Sequence, residues 1–335
     1  MKAIAYVDCL PIEDDRSLFD IECAVPEPGE RDLLVRIEAV AVNPRDVKSR
    51  RTLRGTPQQP MIIGYDASGV VEKVGRGVTL FEPGDEVFYA GVTDRPGSNA
   101  QFQLVDERIV GHKPVSLDHA TAASLPLTSL TAYEMLFDRL EVPRMASPRR
   151  SVLILGGAGG VPSMAIQLAR GAGLTVIATA SRPESAAWVR ELGADHVIDH
   201  RQPLDAQIQA LGQGTVDYVF SSYTSARAWA EIARVITPQG RFGLIDDPEP
   251  LDLRLYKPKS VSIHWEAMFT RPMQNTPDMA RQHDILDEVA RQVDAGELRA
   301  TATRNLGAIN AANLRAAHAL IESGRTIGKI VLAGF

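Results

Sequence analysis

The stretch of this sequence best suited to hold a charged ligand runs from Val152 to Ala169. Apolar Val152 to Leu155 leads into Gly156-Gly157-Ala158-Gly159-Gly160-Val161-Pro162, and helical spacing follows at Met164, Ile166, Leu168 and Ala169. A strand, a tight turn and a helix in that order present free N–H groups at a helix start, and glycines let backbone approach without a Cβ in the way. Such a turn takes phosphate, so the first expectation is a ligand with a pyrophosphate. Gly157, Ala158, Gly159, Gly160 and Val161 are its candidate contacts. The turn departs from G-x-G-x-x-G because Pro162 stands where the third glycine belongs. Proline is tolerated in a first helical turn, where its missing N–H has no intrahelical partner.

A second chemically telling group lies one strand further on. In a dinucleotide fold an acidic residue at the end of the second strand holds the adenosine ribose hydroxyls and repels a 2′-phosphate. Here that strand ends Thr179-Ala180-Ser181-Arg182, with no carboxylate before Glu184. A hydroxyl followed by a guanidinium suits a phosphate, because Arg donates paired, charge-assisted hydrogen bonds. NADP(H) is therefore expected in preference to NAD(H). Ser181 and Arg182 also suit a helix start, with Ser as cap and Pro183 at the first helical position, and the two roles are compatible. Hydride transfer asks little of titrating side chains, since the cofactor carries the reducing equivalent. In keeping with that, no Ser-His-Asp arrangement or carboxylate pair stands out, and the seven histidines are scattered.

The elements that must position these groups follow from length and pattern. A chain of 335 residues exceeds one ordinary core and fits two domains. Hydrophobic content of 44% with 23% charged residues describes a soluble globular protein. No apolar run reaches the roughly 20 residues of a membrane span, and Glu13, Asp14 and Asp15 stand where a signal peptide keeps its apolar core. A cytoplasmic location is expected. A net charge of −6 argues against nucleic acid and anionic membrane as partners and favours a small-molecule substrate. Cys9 and Cys23 are the only cysteines, both expected in short β segments, and two thiols without a disulfide framework suit a reducing compartment.

The first third reads as β-rich, with strands expected over Ala3–Val7, Leu33–Val42 and Ala67–Val74, punctuated by turns such as Pro83-Gly84-Asp85. Past Asp118 two helical segments follow, broken by Pro126. Beyond the glycine turn, strand and helix alternate: Thr175–Ala180, Glu184–Leu192, His196–Ile198, Val216–Phe220, Ala226–Val235 and Arg241–Ile245. That alternation predicts a parallel sheet with helices on both faces. The last part holds helices near Asp278–Ala295 and Ala311–Glu322 and a closing strand Lys329–Leu332.

Several segments resemble the medium-chain dehydrogenase/reductase superfamily, over essentially the whole chain. GYDASGVVEKVG (Gly64–Gly75), FEPGDEV (Phe81–Val87), PLTSLTAYEML (Pro126–Leu136), the glycine turn, ELGADHVIDH (Glu191–His200) and GKIVL (Gly328–Leu332) are similar to its quinone oxidoreductase branch. YAGVTDRPGSNAQF, VDERIVGHKP, IATASRPES and AHALIESG resemble the bacterial zinc-type alcohol dehydrogenase-like proteins. The resemblance implies an α/β architecture: a GroES-like β-barrel-type catalytic domain plus a Rossmann doubly wound parallel sheet. It divides the chain into a first catalytic part at 1–125, an NADP(H)-binding domain at 126–265, and a C-terminal segment at 266–335 that returns to the catalytic domain, with a cofactor cleft between the two. It also implies reduction of an activated carbonyl or enone by NADPH, commonly in a homodimer.

Catalytic zinc requires thiolate, imidazole or carboxylate ligands with one open position. Where such enzymes carry their first cysteine ligand this chain has Asn43, and where they carry His-Glu after a glycine it has Tyr65 and Asp66 after Gly64. No cysteine follows Cys23, so no metal site is expected. Zinc-free chemistry then needs hydrogen-bond donors to polarise the substrate oxygen. Asn43 matches the family's zinc-free N-P-x-D pattern and is a candidate for that role or for the cofactor ribose, though an Asn before Pro also fixes a turn. Asp46 is expected to orient Asn43 or a water, or to start a helix. Lys48 stands where related quinone reductases often have tyrosine; it either donates a proton or makes a surface salt bridge. Tyr65 is the other candidate acid, or a buried aromatic with a satisfied hydroxyl. By the resemblance Thr128, Thr131, His200, Ile245 and Lys329 are further cofactor contacts, the two threonines equally readable as helix-start hydroxyls. Trp265 and Phe269, expected to follow the sixth strand of the Rossmann sheet, line the pocket or a dimer contact. The expected function is a zinc-independent NADPH-dependent oxidoreductase acting on a quinone, enone or reactive carbonyl. The alternatives are a true alcohol dehydrogenase and an NADPH-binding sensor or structural protein with little turnover.

Overall fold

A computed structural model describes residues 1–145, 150–212 and 214–335. Fifteen strands and ten α-helices are laid out among these residues. The strands are β1 (Lys2–Ala5), β2 (Phe19–Glu22), β3 (Asp32–Val42), β4 (Asp66–Val74), β5 (Glu86–Tyr89), β6 (Phe102–Asp106), β7 (Val110–His112), β8 (Ser151–Leu155), β9 (Thr175–Thr179), β10 (His196–Ile198), β11 (Val216–Ser221), β12 (Ile236–Leu244), β13 (Ser262–Trp265), β14 (Ala302–Asn305) and β15 (Lys329–Ala333). The helices are α1 (Pro44–Thr52), α2 (His119–Ala122), α3 (Pro126–Tyr133), α4 (Gly160–Gly171), α5 (Pro183–Glu191), α6 (Leu204–Ala210), α7 (Ala226–Val235), α8 (Thr270–Met273), α9 (Arg281–Asp294) and α10 (Ala311–Glu322). The chain divides into two compact units, Met1–Leu130 with Phe269–Phe335, and Thr131–Met268.

The first unit is built on β3, the longest strand with 11 residues. It pairs antiparallel with β4, β6 and β15, and β4 continues through β5 to β7. Apolar residues of β3 such as Leu33, Val35, Val40 and Val42 join Ile4, Val71, Val87, Ile330 and Leu332 in one buried cluster. α10 adds Leu314 and Ala317 to it. The pleat puts alternate residues on opposite faces, which is why a run as apolar as LLVRIEAVAV has to be the central strand rather than an edge.

The second unit is a six-stranded sheet in the order β10-β9-β8-β11-β12-β13, parallel throughout. Counted within the unit this is 3-2-1-4-5-6, the doubly wound dinucleotide order. The near-continuous apolar runs of β8 and β11 are buried, as parallel strands covered on both faces must be. Trp229 of α7, Phe242 of β12 and Tyr256 form an aromatic cluster with ring centroids 4.4–5.8 Å apart. Its one buried hydroxyl, that of Tyr256, donates to the Trp229 carbonyl at 2.7 Å, as a buried phenol must.

The α/β architecture expected from sequence is present, and its element boundaries lie within a few residues of those read from pattern. Two expectations need correction. Cys9 and Cys23 lie outside the strands: the Cys9 thiol donates to the Leu53 carbonyl, and the Cys23 carbonyl accepts from the N-terminal ammonium just past the end of β2. Trp265 belongs to β13 rather than following it, because Leu244 extends the β12 ladder to that residue. No helix among the described residues is long and apolar enough to cross a membrane.

Candidate active site

Each unit holds one concentration of candidate site residues. In the second unit it lies where the strand order reverses, since β8 has β9 on one side and β11 on the other. Ligands of such sheets bind at the carboxyl ends of the strands at this switch point. β8 ends at Leu155 and the chain turns through Gly156 at φ +70°, a left-handed conformation open to glycine. Both turn amides are fixed by one residue of β9. The Gly156 N–H donates to Thr179 Oγ1 at 2.9 Å and the Gly157 N–H to the Thr179 carbonyl at 3.0 Å. A Cβ on Gly157 would sit 3.0 Å from Val189 Cγ1 and 3.1 Å from the Thr179 carbonyl, so glycine is what lets the turn lie against β9.

α4 begins at Gly160 with Gly159 as its cap, and the first amide to find a helical acceptor is Ser163, bonded to the Gly159 carbonyl at 2.9 Å. The N–H groups of Gly160 and Val161 precede that point and have no acceptor within the helix. Pro162 sits in the same turn and is buried; it removes one donor and leaves the helix start intact. Two backbone donors at the positive end of a 12-residue helix, over a cradle that a side chain at Gly157 would crowd, fit the pyrophosphate of a dinucleotide.

The remaining nucleotide candidates of this unit follow the strand ends. Ser181 comes two residues after β9, and Arg182 caps α5, its N–H donating to Ser185 Oγ at 3.2 Å. His200 is exposed in the turn after β10. Ile245 follows β12 and its N–H donates to the Ser221 carbonyl at 3.1 Å. Thr131 is buried in α3. Two contributors escaped the sequence reading. Thr179 carries no local signal of its role, and Ser222, whose Oγ donates to the Leu155 carbonyl at 3.0 Å, is brought to the turn by strand pairing across 67 positions.

The first unit gathers Asn43, Asp46, Tyr65, Asp66 and Lys329. β3 ends at Val42, Asn43 caps α1, and Pro44 starts it. Asp46 is fully buried, and its Oδ2 accepts the Asn43 N–H at 2.7 Å. Its Oδ1 is buried with no partner among the described residues. Loss of hydration pushes the Asp46 carboxyl up to about 7, against the opposing pull of the Asn43 N–H and of Lys329. Lys329, the first residue of β15, is buried beside Asp66 with Nζ 2.8 Å from Oδ2, and it also donates to Asn43 Oδ1 and the Val42 carbonyl. Asp66 further accepts Asn43 Nδ2 at 2.8 Å and the Leu127 N–H at 2.7 Å.

Tyr65 is buried, its ring centroid 5.2 Å from that of Phe269 and its hydroxyl 2.6 Å from Ser49 Oγ. Burial holds its phenol above the ordinary value, so it stays protonated at neutral pH. Arg45 lies over the other ring of that pair, 5.8 Å from the Phe269 centroid. Lys48 is exposed on α1. The Thr128 hydroxyl donates back to the Ser124 and Leu125 carbonyls, at 3.2 and 3.0 Å.

The cluster cannot be read as a zinc centre. The Asp66 carboxylate is committed to an ammonium, an amide side chain and a backbone N–H, and Asn43 and Tyr65 offer neither thiolate nor imidazole. Among the described residues no three or more His, Cys, Asp or Glu side chains converge as a metal site.

Comparison with known proteins agrees with the fold of both units. Residues 29–115 match the alcohol dehydrogenase GroES-like domain and residues 192–332 the zinc-binding dehydrogenase family. A zinc-type alcohol dehydrogenase-like protein of Staphylococcus aureus is 39% identical, over 99% of this chain and 99% of its own. A crystal structure from Rhizobium etli, assigned to the zinc-dependent alcohol dehydrogenases, is 57% identical with a TM-score of 0.97, covering 100% of this chain and 98% of the other. The chloroplastic NADPH-dependent alkenal/one oxidoreductase of Arabidopsis thaliana is 38% identical over 60% of this chain and 52% of its own. With its six-stranded dinucleotide sheet, its GroES-like domain and full-length relatives of this kind, the chain belongs to the medium-chain dehydrogenase/reductase superfamily of nicotinamide-dependent oxidoreductases, beside the zinc-type alcohol dehydrogenase-like proteins and without their namesake's ligands.

Proposed function

We propose that the chain is a zinc-independent, NADPH-dependent reductase that delivers hydride to a quinone, an enone or a reactive carbonyl. The observation that carries this reading is the end of β9. Thr179 holds the glycine turn against that strand, and the chain leaves it as Ala180-Ser181-Arg182 with no carboxylate to compete for a ribose diol. The NADPH-dependent name of the Arabidopsis relative supports the same preference.

Bound NADPH supplies the hydride. The chain's own residues do the rest. Gly157, Ala158, Gly159, Gly160 and Val161 hold the pyrophosphate through backbone donors, while Ser181 and Arg182 take the 2′-phosphate and His200 lies beside the adenosine. Thr128, Thr131 and Ile245 complete the cofactor contacts. Tyr65, kept protonated by burial and hydrogen bonded to Ser49, gives a proton to the substrate oxygen as hydride reaches carbon. Asn43 and Lys329 hold Asp66, the residue after that tyrosine, and Asp46 fixes Asn43 in turn, while exposed Lys48 contributes charge. The edge strand β13, with Trp265 58% exposed, favours a homodimer, which light scattering tests directly.

The deciding experiment is steady-state oxidation of NADPH and NADH against a panel of quinones, enones and aldehydes, with and without a chelator. The expected result is turnover with NADPH at a kcat/KM at least about tenfold above NADH, unchanged by the chelator. Equal use of NADH overturns the cofactor preference. Loss of activity on chelation revives a true alcohol dehydrogenase, and tight NADPH binding with no turnover makes the chain a binding protein.

A further inference from the structure

The reading above places one guanidinium, Arg182, at the 2′-phosphate. A second one approaches the same spot from the next strand. β10 runs into Asp199-His200-Arg201, and Arg201 Nη2 donates across to the Ser181 carbonyl at 2.8 Å. The same side chain clasps Asp199, Nε reaching Oδ1 at 3.1 Å and Nη2 reaching Oδ2 at 2.7 Å. The turn that carries it is fixed from outside. Gln207 bonds both the N–H and the carbonyl of Asp199, at 2.8 and 2.9 Å, and Arg227 Nη1 donates to the Arg201 carbonyl at 3.1 Å.

A guanidinium has five N–H donors in a rigid fork. Nε and Nη2 of Arg201 are directed at Asp199 and Ser181, whereas Nη1 has no partner among the described residues, and the side chain is 63% exposed. The fork is thus held in place before any ligand arrives, with one edge left over.

We propose that Arg201 is a second 2′-phosphate residue, which presents its Nη1 edge to the phosphate beside Ser181 and cancels the charge of Asp199. This rests on the NADP(H) reading. A phosphate monoester carries close to two negative charges at neutral pH, and two guanidinium groups match it better than one. Asp199, just past the end of the neighbouring strand β10, is linked to that subsite through Arg201, which bonds both its carboxylate and the Ser181 carbonyl. The hydrogen bonds from Arg201 hold it below the ordinary Asp value, so it is ionised. Unpaired, it would repel a phosphate or hold a ribose diol. Clasped through both oxygens, it does neither.

The test is calorimetric titration of the full-length protein with 2′,5′-ADP and with 5′-AMP, at low and moderate salt, in wild type, Arg201→Ala and the double variant Asp199→Asn/Arg201→Ala. The single variant is expected to weaken 2′,5′-ADP by about tenfold or more while leaving 5′-AMP within about twofold. The double variant is expected to recover roughly threefold for 2′,5′-ADP, because the uncovered charge is gone. Arg201 is exposed, so its removal leaves the core intact, and an unchanged melting temperature checks this. A wild-type preference for 2′,5′-ADP that survives Arg201→Ala overturns the proposal alone. Equal weakening of both ligands does so too, since Arg201 would then only brace the turn. Equal binding of both ligands by the wild type overturns the NADP(H) reading itself, and shows before any substitution is made.

Discussion

The polar cluster around Asp66 and the glycine turn after β8 both collect hydrogen-bonding groups, and they dispose of them in opposite ways. Around Asp66 the donors and acceptors consume one another: Lys329, Asn43 and the Leu127 N–H all meet one carboxylate, far from water. At the turn, Thr179 takes up the first two amides, and those of Gly160 and Val161 have no acceptor among the described residues. A closed network of this kind fixes local structure, whereas left-over donors at a helix start attract an anion. The difference separates polar groups that are spent in fixing the first unit from backbone donors positioned for a ligand. It also explains why Asn43 and Lys329, both plausible ligand contacts by sequence, are already hydrogen bonded within the protein.

The contrast can be broken by changing one side at a time. The largest effect is expected from Lys329→Met, which strands the buried Asp66 carboxylate; removing one partner of a buried pair costs about 3–5 kcal/mol. Denaturant unfolding should register that loss, and Asp66→Asn added to Lys329→Met should restore much of it. Unchanged stability in the single variant would mean the cluster is not closed.

Next comes the pH response of Asp46. A carboxyl whose folded value is raised to about 7 holds its proton more tightly folded than unfolded. Its contribution to stability is therefore complete below the unfolded value near pH 4 and is lost as pH rises towards 7. Relative to wild type, Asp46→Asn should flatten the stability profile in that window by up to about 1.4 kcal/mol per pH unit. Parallel profiles for the two proteins would refute the assignment.

On the open side, Gly157→Val places methyl groups against the Thr179 carbonyl and Val189. Nucleotide affinity should fall by about 10- to 100-fold, roughly 1.4–2.7 kcal/mol, with little change in the first unit; titration by fluorescence or calorimetry reads it. The smallest effect belongs to Pro162→Gly. It returns one amide to the helix start, so the fold should persist with NADPH bound equally or more tightly. A large loss of affinity would make the proline itself part of the site.

How far the sequence carried depends on how local each feature is. The turn was legible because its strand end, its glycines and its helix start, from Val152 to Val161, are contiguous. Ser181 and Arg182 were legible as a strand exit because they follow their strand directly, although Arg182 and not Ser181 caps α5. Thr179 was not: its hydroxyl matters only because β9 lies beside β8. Asp66 could be named as a residue out of place in a zinc site, but its link to Lys329 spans 263 positions and leaves no periodicity to read. The cysteines were misplaced because short strands near the N-terminus alternate too weakly to be delimited.

The sequence by itself determined the class of architecture, through apolar runs and the alternation of strand and helix, and it determined the glycine turn with the helix start that follows it. Those depend on backbone propensity and burial within a few residues. Only the tertiary structure decided which polar side chains are spent inside the protein and which remain available. Whether an amide or an ammonium is free depends on its nearest acceptor in space, and for Asn43, Lys329 and Arg201 that acceptor comes from strand pairing or from the fixed shape of a turn.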